Sequence, residues 1–219
     1  MSLREGKRTP LSRERVLAEA MVLADTQGLD ALSMRNLGQA LGVQAMSLYR
    51  HVADKDAVLD GMVDRVIAEI DLPPPGTPWK AAMRHRAQAA HAVLMRHPWS
   101  CPLVMGRMNI GPAMLRYVDW TVGCLVDAGF SYAQADHAWN ALDSYIYGFT
   151  MQSLNFPIEA DQYRAMATAY LPMLPAATHP HMRRMTEEVA EGRHNGLHEL
   201  SFGLELLLDG LERSLAGRD

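Results

Sequence analysis

The chain has 219 residues, which allows one large domain or two small ones. Hydrophobic residues make up 48% and charged residues 21%, a composition typical of a soluble protein with a packed core rather than of a disordered chain. The apolar runs are far shorter than a membrane span requires, and the basic N-terminus has no apolar stretch behind it. We therefore expect neither membrane insertion nor a signal peptide.

Cysteine usage and charge point to a compartment and a type of partner. Cys101 and Cys124 are the only cysteines and form no Cys-x-x-Cys pair, which favours a reducing cytoplasm and buried thiols rather than metal ligands. The net charge is −4, but residues 1–55 hold eight Lys and Arg against six Asp and Glu, and the remainder holds thirteen against nineteen. A basic head on an acidic body favours a polyanionic partner at one end.

Apolar residues recur every three or four positions along the first 70 residues, and this period predicts four helices. Serine or aspartate residues suited to capping precede three of them, and glycines end the first two. The predicted bounds are 12–28, 33–41, about 43–51 and 54–70.

The segment DLPPPGTP at 71–78 cannot continue a helix, so we divide the chain there into a head, 1–72, and a body, 77–219. Longer helical patterns fill the body, and no alternating strand pattern competes with them. The predicted body helices cover 79–97, a short stretch after Pro98, 111–128, 131–154, about 160–171, 181–192 and 197–215. The sequence therefore predicts an all-α fold.

The short third helix has the features of a DNA-reading element. A glycine at 38 lets this helix cross the second one closely, and Gly42 permits the positive φ of a sharp turn. If Val43 and Leu48 face the core, the outward face carries side chains suited to base edges, namely Gln44, Ala45, Ser47 and Arg50. Phosphate contacts would come from Tyr49, His51 and Lys55 and from the helix starts at Ser33 and Asp54. A small helical subdomain with a partly buried Tyr and His is the alternative.

The run LSMRNLGQALGVQAMSLYRHVADKDAVLDGM, residues 32–62, resembles the DNA-binding head of tetracycline-repressor (TetR) family regulators. The stretches WKAAMRHRAQAAHAVLMRHPW, LVDAGFS and FGLELLLDGLERSL resemble the C-terminal domain of the tetracycline-repressor-like branch. The resemblance implies a ligand-responsive repressor that binds double-stranded operator DNA as a homodimer. It also implies operator contacts at Ser33, Arg35, Gln44, Ala45, Met46, Ser47, Tyr49, Arg50, His51 and Lys55.

The last predicted helix has a leucine stripe that is too broad for one-sided packing, and it contains two glycines seven residues apart. Close approach of a partner helix would explain both features, although tolerated glycines facing solvent remain the alternative. The resemblance implies that this helix and the 131–154 helix form a four-helix dimer interface. The residues we expect there are Leu142, Gly203, Leu207, Gly210 and Leu211.

Methionine and aromatic residues are frequent in the middle of the body, and as a set they suggest an adaptable apolar cavity for a small apolar or aromatic effector. An ordinary core is the alternative for each residue taken singly. The resemblance also implies an effector pocket in this domain. The candidate lining residues are Met83, His91, Met105, Met108, Tyr117, Trp120, Trp139, Asn140, Asp143 and Phe149.

One departure from the tetracycline-binding relatives concerns metal binding. Those relatives hold a magnesium ion with the drug through a His after the sixth helix, whereas the matching stretch LVMGRMN contains Met105 and Met108 and no His. We therefore expect neither magnesium nor tetracycline at that position, and no other cofactor.

An enzyme and a protein without sequence-specific DNA binding are the two alternative classes of function. A helical bundle enzyme with two metals needs two Glu-x-x-His motifs on facing helices, and the one match, Glu191 to His194, lies beside glycines in an expected loop. The sequence assembles no catalytic group, so we expect no enzyme. A ligand-binding or scaffolding protein without sequence-specific DNA binding is the other alternative.

Overall fold

The computed structural model describes residues 10–156 and 158–216, with only the backbone of Ala160, and these ranges are helical without strands. The all-α prediction is therefore confirmed for the described part of the chain. The basic residues Arg4, Lys7 and Arg8, which contribute to the predicted basic head, lie outside the described residues.

From residue 10 onward, where the structure describes the head, it contains four α-helices, and three of them begin at the predicted caps. The Ser12 hydroxyl accepts from the Arg15 amide at 3.2 Å, the Ser33 hydroxyl from the Asn36 amide at 3.1 Å, and the Asp54 carboxylate from the Ala57 amide at 2.7 Å. Each cap satisfies an amide that the helix itself leaves unpaired. The bounds are α1 (Arg13–Gln27), α2 (Met34–Leu41), α3 (Ala45–Leu48) and α4 (Lys55–Ala68).

The turn between α2 and α3 depends on two glycines, as the sequence predicts. A Cβ added at Gly38 would lie 3.0 Å from the Val43 carbonyl oxygen and 3.1 Å from the Ala45 amide nitrogen. Gly42 has φ 68° and ψ 32°, the left-handed conformation that glycine adopts without strain. The regular part of α3 is shorter than the predicted 43–51, because residues 49–51 form a turn that follows the helix.

The described part of the body contains seven α-helices, and they agree with the predicted positions to within about one turn. The largest difference is at the last helix, which begins at Leu200 and not at 197. Gly196 has φ 75° and the Leu197 amide donates to the Asn195 side chain at 2.9 Å, so an irregular loop occupies that segment. The bounds are α5 (Trp79–Arg96), α6 (Ser100–Gly106), α7 (Pro112–Asp127), α8 (Tyr132–Asn155), α9 (Ala160–Tyr170), α10 (Pro180–Ala190) and α11 (Leu200–Ala216).

Helix α4 belongs to the cores of both the head and the body. It packs against α1 on the head side and against α5, α6 and α7 on the body side. Its stripe is correspondingly wide, with Val58, Met62, Val63, Val66 and Ile67 all buried. In the body, α5, α7, α8 and α11 pack together, whereas α9 and α10 pack chiefly against each other.

A histidine of the body connects the C-terminal end of α4 to α1. His97 follows α5, and its two ring nitrogens lie 2.8 Å from the Asp25 carboxylate of α1 and 3.2 Å from the Glu69 carboxylate at the end of α4. The Trp99 indole N–H donates to the same Asp25 oxygen. These contacts hold three segments together at the base of the head.

We predict that Gly38→Ala destabilises the protein by about 1–3 kcal/mol, because the new methyl group would press on backbone atoms that cannot rotate away. Gly123→Ala in α7 is the matched control, since no atom lies within 4 Å of the Cβ it would add. That change should stabilise by about 0.5–1 kcal/mol through helix propensity. Urea unfolding measures both, and equal effects would contradict the close approach at Gly38.

Candidate DNA-binding surface and effector site

The outward face of α3 collects most of the residues predicted to contact DNA. Leu48 is completely buried and fixes the helix to the head, so the opposite side is presented to solvent. Gln44, Met46 and Arg50 are exposed there, Met46 to 73%, while Ala45 and Ser47 are half-buried. The surface therefore combines two long polar side chains with one protruding apolar side chain, all suited to base edges.

Residues at the two ends of this surface are suited to phosphate contacts. Tyr49 is 43% exposed, and His51 is half-buried beside it in the turn that follows α3. Ser33 caps α2, and its hydroxyl hydrogen remains able to donate, while Arg35 in the first turn is exposed. Polar donors therefore flank the base-facing side chains at both ends.

The start of α4 offers less to a phosphate than its position suggests. The Asp54 carboxylate already accepts from the Ala57 amide, so it occupies the end of the helix where an anion would bind. Lys55 is exposed in the first turn and supplies a positive charge in its place.

Part of the predicted effector pocket is a buried polar cluster between α5, α7 and α8. Arg86 is fully buried, its guanidinium donates to Asp143 at 2.5 Å, and it lies 4.4 Å from the centre of the Tyr117 ring. The second Asp143 oxygen accepts from the Trp139 indole at 2.6 Å and from the Tyr147 hydroxyl at 3.3 Å. Burial acts to lower the pKa of Arg86, but Tyr117 and Asp143 raise it by more, so the guanidinium stays charged.

The sequence analysis did not identify Arg86 and Tyr147 as members of this cluster, although the position of Arg86 in the sequence indicates that it is buried. It falls at a position of the α5 stripe whose neighbours Met83, Ala87 and Ala90 are fully buried. An arginine in such a stripe is buried only with a partner, and Asp143 is that partner.

A second group of predicted pocket residues lies beside an open groove. His91 contacts the Phe149 ring edge-on at 5.5 Å between ring centres, and its Nδ1 lies 2.8 Å from the Thr150 hydroxyl. Burial lowers the pKa of His91, which favours the neutral ring. Phe149 and Met95 form part of the wall of a groove of about 540 Å³, together with Gln152, Ser153, Phe156, Ile158, Glu159, Tyr163, Gly196, Leu197 and His198.

Four predicted pocket residues lie elsewhere, and these predictions are corrected. Met105, in the last turn of α6, is 56% exposed, and Met108, in the loop that follows Gly106, is 92% exposed. Asn140 is exposed on α8, where its amide donates to the Asp136 carbonyl. Trp120 lines a different groove, of about 570 Å³, between α7 and the proline-rich linker.

The residues predicted at the dimer interface separate into two groups. Leu142 is fully buried within the chain, so its side chain is unavailable to a partner. Gly203 is explained within the chain, because an added Cβ would lie 2.5 Å from the hydroxyl oxygen of Tyr145. Leu207, Gly210 and Leu211 are half-buried on α11.

The head and body meet where α4 contacts the segment between α6 and α7. The Asp64 carboxylate of α4 accepts from the Ala113 and Met114 amides at 2.9 and 3.0 Å, so it caps α7 from another helix. Gly111 precedes that helix, and a Cβ there would overlap Asp64. Arg107 donates to Asp60 of α4 at 2.8 Å. These contacts tie the start of α7 to α4.

No three His, Cys, Asp or Glu side chains gather into a possible metal site within residues 10–156 and 158–216. None of the helices in these ranges combines the length and hydropathy needed to cross a membrane.

A closely crossed α2–α3 pair with an exposed polar face, joined through α4 to a helical body, defines a helix-turn-helix DNA-binding regulator. The chain belongs to the tetR family of bacterial regulatory proteins, whose sequence model matches residues 16–62. The model of the tetracycline repressor-like C-terminal domain matches residues 72–215. This is a family of transcriptional regulators rather than of enzymes.

Several relatives match nearly the whole of this chain. The repressor DrrR1 of Streptomyces coeruleorubidus is 30% identical over 97% of this chain and 82% of its own. The class D tetracycline repressor of Escherichia coli is 26% identical over 94% of this chain and 91% of its own. The structure of ActR from Streptomyces coelicolor in complex with (S)-DNPA is 26% identical and covers 94% of this chain and 99% of its own, with a TM-score of 0.80. The protein is a ligand-responsive, DNA-binding repressor.

We predict that Asp64→Ala destabilises the protein by about 1–2 kcal/mol, because α7 loses the acceptor that caps it. Asp64→Asn keeps an acceptor oxygen and should cost less. Asp127→Ala is the control, since Asp127 lies exposed at the other end of α7, where a carboxylate opposes the helix dipole. Urea unfolding of the three variants is the measurement, and an Asp64→Ala variant as stable as Asp127→Ala would contradict the cap.

Proposed function

We propose that the protein acts in the cytoplasm as a homodimeric repressor whose two α3 helices read operator half-sites about one helical turn apart. The observation that carries this proposal is the exposed outward face of α3 on a fully buried Leu48. One head covers few base pairs, so a two-fold pair of heads is the simple way to reach a specific site.

Within this surface, Gln44, Ser47 and Arg50 read bases, with Arg35 as a further candidate. Ala45 and Met46 offer no hydrogen bond and make only apolar contacts, for example with a thymine methyl group. Tyr49, His51 and Lys55 hold the phosphates. Ser33 adds a hydroxyl at the start of α2. We base this division into base-reading and phosphate-binding residues on the exposure of each side chain and on the hydrogen bonds that it can make.

The dimer forms through the outer faces of α8 and α11. On α11, Phe202 and Leu206 are exposed to 74% and 59%, which is unfavourable for an isolated chain. Small residues lie exposed along α8, and no atom comes within 4 Å of a Cβ added at Gly148. A second helix pair can therefore approach closely, with Leu207, Gly210 and Leu211 of α11 at the contact.

The effector binds in the body, in the groove beside His91 and Phe149 and towards the cluster around Asp143. The lining of the groove is mostly apolar and aromatic, which suits a small apolar or aromatic compound. ActR, a relative with the same fold, has been seen with (S)-DNPA bound. Binding shifts the body helices, and the contacts of Asp60 and Asp64 pass that shift to α4 and change the spacing of the heads.

We predict that Arg50→Ala lowers affinity for the specific operator by about tenfold to a hundredfold, because a base-reading arginine carries about 1–3 kcal/mol of discrimination. Affinity for unrelated duplex should fall much less. Gel shifts at several salt concentrations, against DNA from upstream of its own gene, measure both.

Lys55→Ala and Arg116→Ala are the matched controls for this experiment. Lys55→Ala should weaken both kinds of DNA equally and reduce the salt slope by about one. Arg116 is exposed on α7 in the body, and its loss should change neither. Equal losses on both kinds of DNA for Arg50→Ala would make Arg50 a phosphate contact. A wild-type protein without a steep salt slope would instead favour a scaffolding role.

We predict that Gly210→Trp converts the dimer into a protomer of 24.3 kDa in sedimentation velocity. Among the described side chains outside the helix's own backbone, the Arg213 guanidinium alone comes within 4 Å of a Cβ added at Gly210, so we expect the indole to be tolerated within one chain but to obstruct a partner helix. Gly210→Ala is the control and should stay dimeric. Gly203 is unsuitable for this test, because a side chain there meets Tyr145. A dimeric Gly210→Trp variant would exclude this interface.

A further inference from the structure

The polar cluster between α5, α7 and α8 contains more hydrogen-bond donors than the protein uses. Within the described residues, no hydrogen-bond partner contacts Nε or Nη1 of Arg86 or the hydroxyl of Tyr117, and all three atoms are buried. Buried donors without partners are costly, so native cores rarely retain them without a role.

The existing acceptor in the cluster already accepts three hydrogen bonds. Asp143 accepts from Arg86 through one oxygen and from Trp139 and Tyr147 through the other. The unused N–H groups of Arg86 therefore need an acceptor other than Asp143. What the cluster lacks is a further acceptor, and the buried Met83 one turn away on α5 supplies none.

The charge balance of the cluster restricts what that acceptor can be. Arg86 and Asp143 carry opposite charges and are paired, so the cluster is neutral as it stands. Burying a carboxylate beside them would leave one uncompensated negative charge in the interior, which costs several kcal/mol of desolvation, on the order given for buried ions. A neutral carbonyl oxygen accepts from the same donors without that cost.

The groove beside α9 lies further along α5 and α8 than these donors, and its walls do not include them. On α5, His91 lies between Arg86 in the cluster and Met95 in the groove wall, and five residues of helix correspond to roughly 7.5 Å. On α8, Phe149 lies in the groove wall and contacts His91. A flat molecule that displaces these two rings would extend from the groove to the cluster.

We propose that the effector is a neutral aromatic compound bearing a carbonyl oxygen, and that Arg86 and Tyr117 donate to that oxygen. This inference rests on the proposed effector site in the body and adds the chemical class of its ligand. The aromatic frame lies between α5 and α8, and the carbonyl end replaces the missing acceptor.

The test compares three probes that share one carbon frame: fluorene, 9-fluorenone and fluorene-9-carboxylate. Equilibrium dialysis against the full chain, without DNA, gives each affinity. We expect fluorenone to bind about fivefold to tenfold more tightly than fluorene, the gain from one or two neutral hydrogen bonds. The carboxylate should bind most weakly.

Two variants assign that preference to the cluster. Tyr117→Phe removes only a hydroxyl that has no partner, so the preference for fluorenone should fall by about threefold or more while the melting temperature stays the same or rises. Arg86→Met combined with Asp143→Asn removes both charges together and should abolish the preference. Tyr145→Phe is the control, because that hydroxyl donates to the Leu200 carbonyl, and the preference should survive it.

Three results would overturn the inference. They are fluorenone binding no more tightly than fluorene or not at all, a preference that survives Tyr117→Phe, and tightest binding of the carboxylate. Failure of the wild-type chain to bind upstream DNA would count against the proposed function alone, because the dialysis contains no DNA.

Discussion

Helix α4 is the constraint on which the rest of the molecule depends, because it must complete two cores at once. Met62, Val63 and Val66 are fully buried, so the helix has little freedom to shift against either neighbour. Its polar side holds the body as well, since Asp64 caps α7 and Asp60 pairs with Arg107. A displacement of the start of α7 therefore also displaces α4. The orientation of the head changes with α4.

The features that the sequence predicts best are those that short-range chemistry decides. Ser12, Ser33 and Asp54 cap helices because their side chains reach amides three residues away, and Gly42 takes the left-handed conformation that the turn requires. The exposed face of α3 follows from the same local pattern. The shorter extent of α3 does not, because a turn and a helical end differ by only one or two hydrogen bonds.

The features that the sequence does not predict depend on neighbours far along the chain. Periodicity shows that Leu142 is apolar and on one face of α8, but not that the face lies inside the protomer. The glycine at 203 correctly signals a close approach, yet the approaching group is Tyr145 of the same chain. Met105 and Met108 are residue types typical of a pocket, but the packing of α6 and the loop after it leave both side chains exposed to solvent.

The cluster around Arg86 lowers the stability of the folded protein. A buried ion pair is often no better than apolar packing of the same volume, and the three unpaired donors make this one worse. A core selected for stability alone would place an apolar side chain at this position, such as the methionine that lies one turn away at Met83. Sequences break such local rules mainly where a site requires it, so the cost of the Arg86 cluster is itself an argument that something binds there.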